Sequence, residues 1–385
     1  MTQWLSQCGR ADLRCGDSLQ VMPTLAPDSV DAIVTDPPYG LTFMGKEWDR
    51  GVPGVEFWRE AIRVAKPGAH LLAFGGTRTF HRLTCAIEDA GWEIRDCVMW
   101  VYGSGFPKSL DVSKAIDKAA GAEREVTGQM GKCGMATAAE NYEGNEKWSW
   151  LRRDTPATDA ARKWSGWGTA LKPSWEPVIV ARKPCEGTVA ANVLKYGTGA
   201  INVDGCKVGS EILSAQPRGA SLNTDFASGG YTQERKGRWP ANLIHDGSDE
   251  VVDGFPQDGE SSAARFFYCA KADGEDRDFG MVGCAAYVAG VGALRDGKRQ
   301  SEPRRNTHPT VKPNDLMRYL IKLIAPKDAL ILDPFMGSGS TGVAAIQMHN
   351  RFIGIELGPD HFEICKRRVA AAFDTFPLLN PKGDQ

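Results

Sequence analysis

Four consecutive residues, Asp36-Pro37-Pro38-Tyr39, carry the sharpest chemical signal in the chain. Two prolines fix φ twice and withhold two N–H donors, so the backbone there is rigid and offers carbonyl oxygens only. An acid and an aromatic ring flank them. The group suits an exocyclic amine on a heterocyclic base as nucleophile. Such a nitrogen is weak because its lone pair is delocalised into the ring. Donating both hydrogens, to the Asp36 carboxylate and the Pro37 carbonyl, would push it toward sp³ geometry and expose the lone pair. Tyr39 would stack on the base. Alone, the four residues would also pass for a plain proline turn.

A second motif gives them a partner. Asp333-Pro334-Phe335-Met336-Gly337-Ser338-Gly339-Ser340-Thr341 lies between a strand, Leu330 to Leu332, and a helix opening at Gly342. Gly337 and Gly339 let the backbone turn tightly and approach a ligand closely. The helix beyond offers unpaired N–H groups. Glu356 ends the next strand, 23 residues after Asp333. That is near the spacing at which an acid meets ribose hydroxyls in Rossmann-type sites. The loop lacks the G-x-G-x-x-G pattern and opens on an acid. Asp333 would repel a pyrophosphate and suit the ammonium of a methionine moiety. The expected ligand is therefore S-adenosylmethionine. Asp17, after the strand-like Asp12 to Cys15, is either an acceptor for the adenine amino group or a simple loop cap.

The elements that must position these motifs alternate strand and helix. Val30 to Thr35 reads as a strand, Val55 to Ala65 as a helix and His70 to Phe74 as a strand. Phe80 to Ala90 reads as a helix and Trp92 to Tyr102 as a strand. The C-terminal end alternates in the same way. An amphipathic helix from Asn314 to Ala325 with an Asn cap leads to Leu330 to Leu332, the helix from Gly342, Phe352 to Ile355 and a last helix from Asp360 to Ala372. This pattern predicts a parallel sheet covered on both faces. Between the two ends lies a stretch rich in Gly, polar residues and Trp, in which only Pro177 to Ala181 resembles another sheet strand.

The 385 residues are 42% hydrophobic and 24% charged, enough for one large domain with insertions or for two. The first ten residues carry no apolar signal segment, and no window approaches 18 apolar residues. The ten cysteines form no C-x-x-C pair, which points away from a zinc site or disulfide framework and toward a reducing cytoplasm. A net charge of −2 does not advertise a polyanion partner. A local run does: Arg295, Lys298, Arg299, Arg304 and Arg305 would contact DNA phosphates or form a solvated loop. Trp148, Trp150, Arg152, Arg153, Lys163, Trp164, Trp167 and Trp175 interleave rings and charges. They suit base stacking or the packing of an inserted core.

Taken together, the two motifs resemble those of the DNA amino-methyltransferases acting on adenine N6 or cytosine N4. DPPY is similar to their catalytic motif, and DPFMGSGST to their cofactor motif. His308-Pro309-Thr310-Val311-Lys312-Pro313 resembles the segment that closes over the methionine end. The catalytic motif comes first, as in the circularly permuted β group. Gly105 to Ser109 and Arg238 to Asn242 resemble stretches of phage and prophage enzymes. The resemblance implies a three-layer, Rossmann-like α/β core, circularly permuted, with an inserted target-recognition region. It implies catalytic roles for Asp36, Pro37, Pro38 and Tyr39. It adds Pro334, Phe335, Ser338, Thr341, Thr310 and Lys312 to the cofactor contacts Asp17, Asp333, Gly337, Gly339 and Glu356.

In this layout residues 1–110 form the catalytic half of the core and 111–170 an insertion. Residues 171–183 add a core strand, 184–305 the target-recognition region and 306–385 the cofactor half. Asp in the first motif position is typical of the adenine enzymes, so the expected reaction is direct methyl transfer to adenine N6 of a flipped base. The alternatives are cytosine N4 methylation and a non-catalytic DNA-binding module. The partner would be double-stranded DNA, without a membrane, and a homodimer is compatible with the sequence. Pro184-Cys185 matches the nucleophile pair of a cytosine-C5 enzyme but lies far from both motifs. Cys185 is expected to be an ordinary thiol.

Overall fold

All six residues from Val30 to Thr35 are buried, so this strand must be covered on both faces. In the structure, a computed structural model, it lies in the middle of a ten-stranded sheet. Residues 2–41, 51–103, 105, 109–129, 152–213, 235–258, 261–270, 275–284, 305–308 and 311–375 are described.

The sheet is built from β1 (Thr2–Leu5), β2 (Ala11–Cys15), β3 (Val30–Thr35), β4 (Ala65–Phe74) and β5 (Glu93–Val101). It continues with β6 (Trp175–Arg182), β7 (Leu243–His245), β8 (Tyr268–Cys269), β9 (Leu330–Asp333) and β10 (Arg351–Glu356). Their spatial order is β1-β2-β10-β9-β3-β4-β6-β5-β7-β8. The side helices are α1 (Val55–Val64), α2 (Phe80–Asp89), α3 (Asn314–Ile324), α4 (Ser340–Gln347) and α5 (Pro359–Asp374).

Alternation along the strands splits the core into two layers. Ala32, Val34, Leu72 and Phe74 pack with Leu320, Val343 and Val369 of α3, α4 and α5. Val30, Ile33, Leu71 and Ala73 pack with Trp58, Ala61 and Leu83 of α1 and α2. Trp58 is fully buried and donates its indole N–H to the Pro53 carbonyl at 3.2 Å, so its large ring leaves no polar group stranded. This is the expected three-layer α/β arrangement.

Two strands depart from the all-parallel expectation. β1 pairs antiparallel with β2, and β6 runs antiparallel to both neighbours, β4 and β5. Side-chain alternation and burial are the same in either direction, so the apolar run of β6 could not reveal which way it points. β7 and β8 also join the sheet, parallel to β5 and to each other. At three and two residues they are too short to show a period. The start of α3 differs as well. Asn314 is the first helical residue, not its cap, and its backbone N–H is taken by the Asp276 carboxylate at 2.8 Å.

The chain divides into two compact units. The sheet belongs to Met1–Gly103, Trp175–Val288 and Pro303–Gln385. Ser104–Ser174 and Ala289–Glu302 form the other. Within that smaller unit, helix Val112–Ala119 carries the buried Asp117. Asp117 accepts from Arg124 at 2.7 Å, from the Thr158 hydroxyl at 2.8 Å and from the Ala157 and Thr158 amides, both at 3.0 Å. These donors outweigh burial and hold its carboxyl well below the usual range.

Candidate active site

β3, β4, β5 and β9 all deliver their carboxyl ends to one edge of the sheet. β3 runs into Asp36, and β9 ends on Asp333. The two motifs are therefore neighbours, and the residue just before the first bonds to the head of the second. Thr35 donates its hydroxyl to Asp333 Oδ1 at 2.6 Å. Asp333 Oδ2 accepts from Thr341 at 2.6 Å, and Oδ1 also accepts from the Phe335 amide at 3.0 Å. The carboxyl is nearly fully enclosed, and burial raises it from 3.8 to about 7. The three hydrogen bonds oppose that rise, and the charge of Asp36 adds to it.

Around Asp36 lies a compact polar group. Tyr39 reaches Asp36 Oδ1 at 2.8 Å and Glu176 Oε2 at 3.0 Å. The Lys312 ammonium sits 2.7 Å from Glu176 Oε2, 2.9 Å from the Tyr39 oxygen and 3.2 Å from Asp36 Oδ1. It also lies over the rings of Phe74, at 4.6 Å, and Tyr39, at 5.4 Å. Burial works against the ammonium, but Asp36 and Glu176 outweigh it and raise Lys312 above its ordinary range. Burial, then the same two carboxylates, push the Tyr39 hydroxyl far up, so it stays protonated. Tyr39 has one proton. It accepts from Lys312 and donates to a carboxylate.

Glu176 does not stand out in the sequence. It is the second residue of β6, and because that strand is reversed its beginning lies at the carboxyl edge of the others. The weak signal for it is an acid at the mouth of a buried apolar strand, Trp175-Glu176-Pro177. Arg368 of α5 is equally inconspicuous in the sequence. It is buried, donates to the Ser338 carbonyl at 2.6 Å and Ser338 hydroxyl at 3.1 Å, and so clamps the glycine loop from behind.

The residues expected at the cofactor fall in three places. Gly337 and Gly339 both adopt left-handed φ, +49° and +79°. A Cβ on Gly337 would stand 3.0 Å from His308 Nε2, and one on Gly339 would stand 2.5 Å from Cys365 Sγ. Glu356 accepts from the Gly337 amide at 2.9 Å and the Gly358 amide at 2.8 Å. Ser338 and Thr341 hold the loop through Arg368 and Asp333. Pro334 accepts from the Ser18 hydroxyl, and the Phe335 ring packs 5.5 Å from Phe57. Asp17 caps its own short helix through the Leu19 amide at 2.9 Å. Lys312 lies with Asp36 rather than at the glycine loop, whereas His308 of the same segment packs against that loop. Thr310 lies outside the described residues.

Of the basic run, only Arg305 is described. It is exposed, and its amide donates to Asp278. Arg295, Lys298, Arg299 and Arg304 lie outside the described residues, as do Trp148 and Trp150. Trp164 and Trp167 stack edge-on at 5.0 Å and are 40% and 60% exposed, so they do not pack a core. Trp175 instead meets Phe80 at 6.3 Å. Among the described residues no helix is long and apolar enough to cross a membrane, and no cluster of His, Cys, Asp and Glu could hold a metal.

The loop fits S-adenosylmethionine on its own chemistry. Asp333 is a buried acid that its internal donors do not fully offset, which is what a cationic ligand would relieve. Beside it the backbone is bare of side chains at two positions. A family model described as DNA methylase, for N6 and N4 methyltransferases, matches residues 30–367. The Type II methyltransferase M.HindIII of Haemophilus influenzae is 21% identical over 92% of this chain and 93% of its own. The DNA adenine methyltransferase YhdJ of Escherichia coli is 38% identical, over 17% of this chain and 22% of its own. The solved PvuII DNA methyltransferase, cytosine-N4-specific, is 14% identical with a TM-score of 0.45, covering 96% of this chain and 92% of that one. A family match over most of the chain, with the DPPY group and the glycine loop lying side by side, places this chain in the N6/N4 DNA methylase family, as an S-adenosylmethionine-dependent DNA methyltransferase.

Proposed function

We propose that the chain methylates the N6 amine of adenine in double-stranded DNA, on a base turned out of the helix. One observation carries the mechanism. Every described hydrogen bond to Asp36 falls on Oδ1, which leaves Oδ2 open among the described residues. The Pro37 carbonyl is likewise unused among them. Asp36 Oδ2 and the Pro37 carbonyl then accept the two amine hydrogens and turn the nitrogen lone pair outward. The bound cofactor supplies a methyl group already activated on sulfonium. As positive charge grows on the nitrogen, the Asp36 carboxylate stabilises it. Tyr39 is held by its hydroxyl, so its ring is fixed before a base arrives. No covalent intermediate on the protein is needed.

Asp36 at the head of the motif supports adenine over cytosine, since the resemblance of the sequence to adenine enzymes begins there. The basic run at 295–305 and the exposed Trp164 and Trp167 are the proposed DNA contacts, with target recognition in residues 184–305. DNA from a methylation-free host expressing the chain, digested to nucleosides, should yield N6-methyldeoxyadenosine by mass spectrometry. N4-methylcytosine in its place would overturn the base assignment. Asp36→Ala should cut the single-turnover rate by on the order of a hundredfold or more. Cofactor affinity should hold, because Asp333 remains. A near-normal rate in that variant, with the fold intact, would remove Asp36 from the mechanism.

A further inference from the structure

Two carboxylates and one ammonium meet at Tyr39, and only Asp36 has an assigned role. Asp36 and Glu176 together bring two negative charges to one phenol. Two carboxylates bonded to one hydroxyl repel each other unless a cation lies between them. Lys312 touches both, at 3.2 and 2.7 Å. Its side chain is 9% exposed, so solvent screens it little. The cluster as a whole carries one net negative charge, which faces the position where an amine becomes cationic.

We infer that Lys312 and Glu176 are a charge-balancing pair of positioning residues that sets the net charge around Asp36 and keeps its Oδ2 turned to the substrate. This rests on the amine-acceptor role proposed for Asp36. Lys312 offsets the repulsion between the two acids. Glu176 in turn offsets Lys312, which alone would neutralise Asp36 and oppose charge growth on the amine. Other groups that face the cluster are few. The Tyr102 hydroxyl lies 3.4 Å from Glu176 Oε1, the rings of Phe74 and Trp100 lie under the ammonium, and the Asp333 carboxyl feels the charge of Asp36. None of these supplies a second cation, among the described residues.

The test is single-turnover methyl transfer, with KM for DNA beside it, in the full chain with cofactor bound. Lys312→Met takes the net charge of the cluster from −1 to −2 and Glu176→Gln takes it to zero. Each should cut the single-turnover rate by roughly tenfold or more while KM for DNA changes little. The double variant returns the net charge to −1 and should recover much of the rate lost in Lys312→Met, a rescue that simple loss of structure would not produce. A parental rate in Glu176→Gln, or in a Lys312→Met chain that melts like the parent, overturns the pair, and so does a double variant slower than both single ones. If Lys312→Met does not fold, Glu176→Gln alone decides. If instead the variants behave as expected but Asp36→Asn keeps the parental rate, the pair stands as electrostatics and the role of Asp36 falls.

Discussion

Asp333 should stabilise the fold less when it is ionised, and replacing it should reveal a conflict between stability and cofactor binding. Its carboxyl titrates near 7 in the fold, against 3.8 when free, because burial outweighs three donors. The sign follows from linkage: a group whose native pKa is raised contributes stability that is full at low pH and is lost as pH rises through the native value. Each pH unit is worth about 1.4 kcal/mol. Between about pH 5 and about pH 8 the unfolded chain is already ionised at this position while the fold releases its proton only near 7, so the cofactor-free protein should lose about 3 kcal/mol of stability.

Asp333→Asn is nearly isosteric. Its carbonyl can still accept from Thr35 and the Phe335 amide, and its amide can donate to a turned Thr341 hydroxyl. The variant cannot ionise, so it should gain on the parent by about 3 kcal/mol over that interval. Urea midpoints of both chains at both pH values give the comparison, and titrating groups that do not feel Asp333 cancel in the difference. Cofactor affinity should move the opposite way, weaker by tenfold or more, because the cation has lost its acid. A difference between the two chains that does not change with pH would refute the argument. Unchanged cofactor binding by calorimetry would remove Asp333 from the site.

Gly339→Ala combines left-handed φ with a Cβ 2.5 Å from Cys365 Sγ. It should cost roughly 1–3 kcal/mol in thermal or urea unfolding, and adding Cys365→Ala should return only part of that, since the backbone strain stays. A base inside a duplex cannot reach a methyl donor held in a protein pocket, so 2-aminopurine at the target should brighten on binding with a cofactor analogue. No rise at a verified target would count against flipping. Neutralising Arg295, Lys298, Arg299, Arg304 and Arg305 should lower the slope of log affinity against log salt by roughly one for each DNA phosphate left without its cation. A multiple variant that keeps the parental slope would place the DNA elsewhere.

What the sequence shows and hides follows from how each feature is encoded. β3, β4, α1, α2 and the helices after Asn314 are legible because their apolar periods run over whole elements. The glycine loop is legible because left-handed backbone at Gly337 and Gly339 has a residue signature. Asp333 can be assigned to the loop but not to Thr35. That bond spans 298 positions and depends on β3 and β9 lying side by side. The Asn cap of α3 fails for the same reason, since the partner of its N–H comes from Asp276, far along the chain. Lys312 groups with His308 in the sequence because one short segment holds both. In the fold His308 packs against the glycine loop and Lys312 meets the catalytic acid, so the two serve different neighbours.

The reversed direction of β6 decides how the site is completed. Glu176 stands 140 positions after Asp36, and nothing in its local sequence ties it to a proline motif. β6 is eight residues long, which spans about 26 Å at a rise of about 3.3 Å per residue. Run parallel to its neighbours, the strand would carry Glu176 to the opposite edge of the sheet, more than about 20 Å from Asp36 by the same rise. Lys312 would then face one carboxylate instead of two, and the cluster would be neutral. A neutral cluster has no net charge with which to favour a cationic amine. The antiparallel strand, which looks like an irregularity between two parallel neighbours, is thus what brings a second acid to the amine site. The sheet's direction at this one strand sets the charge of the site.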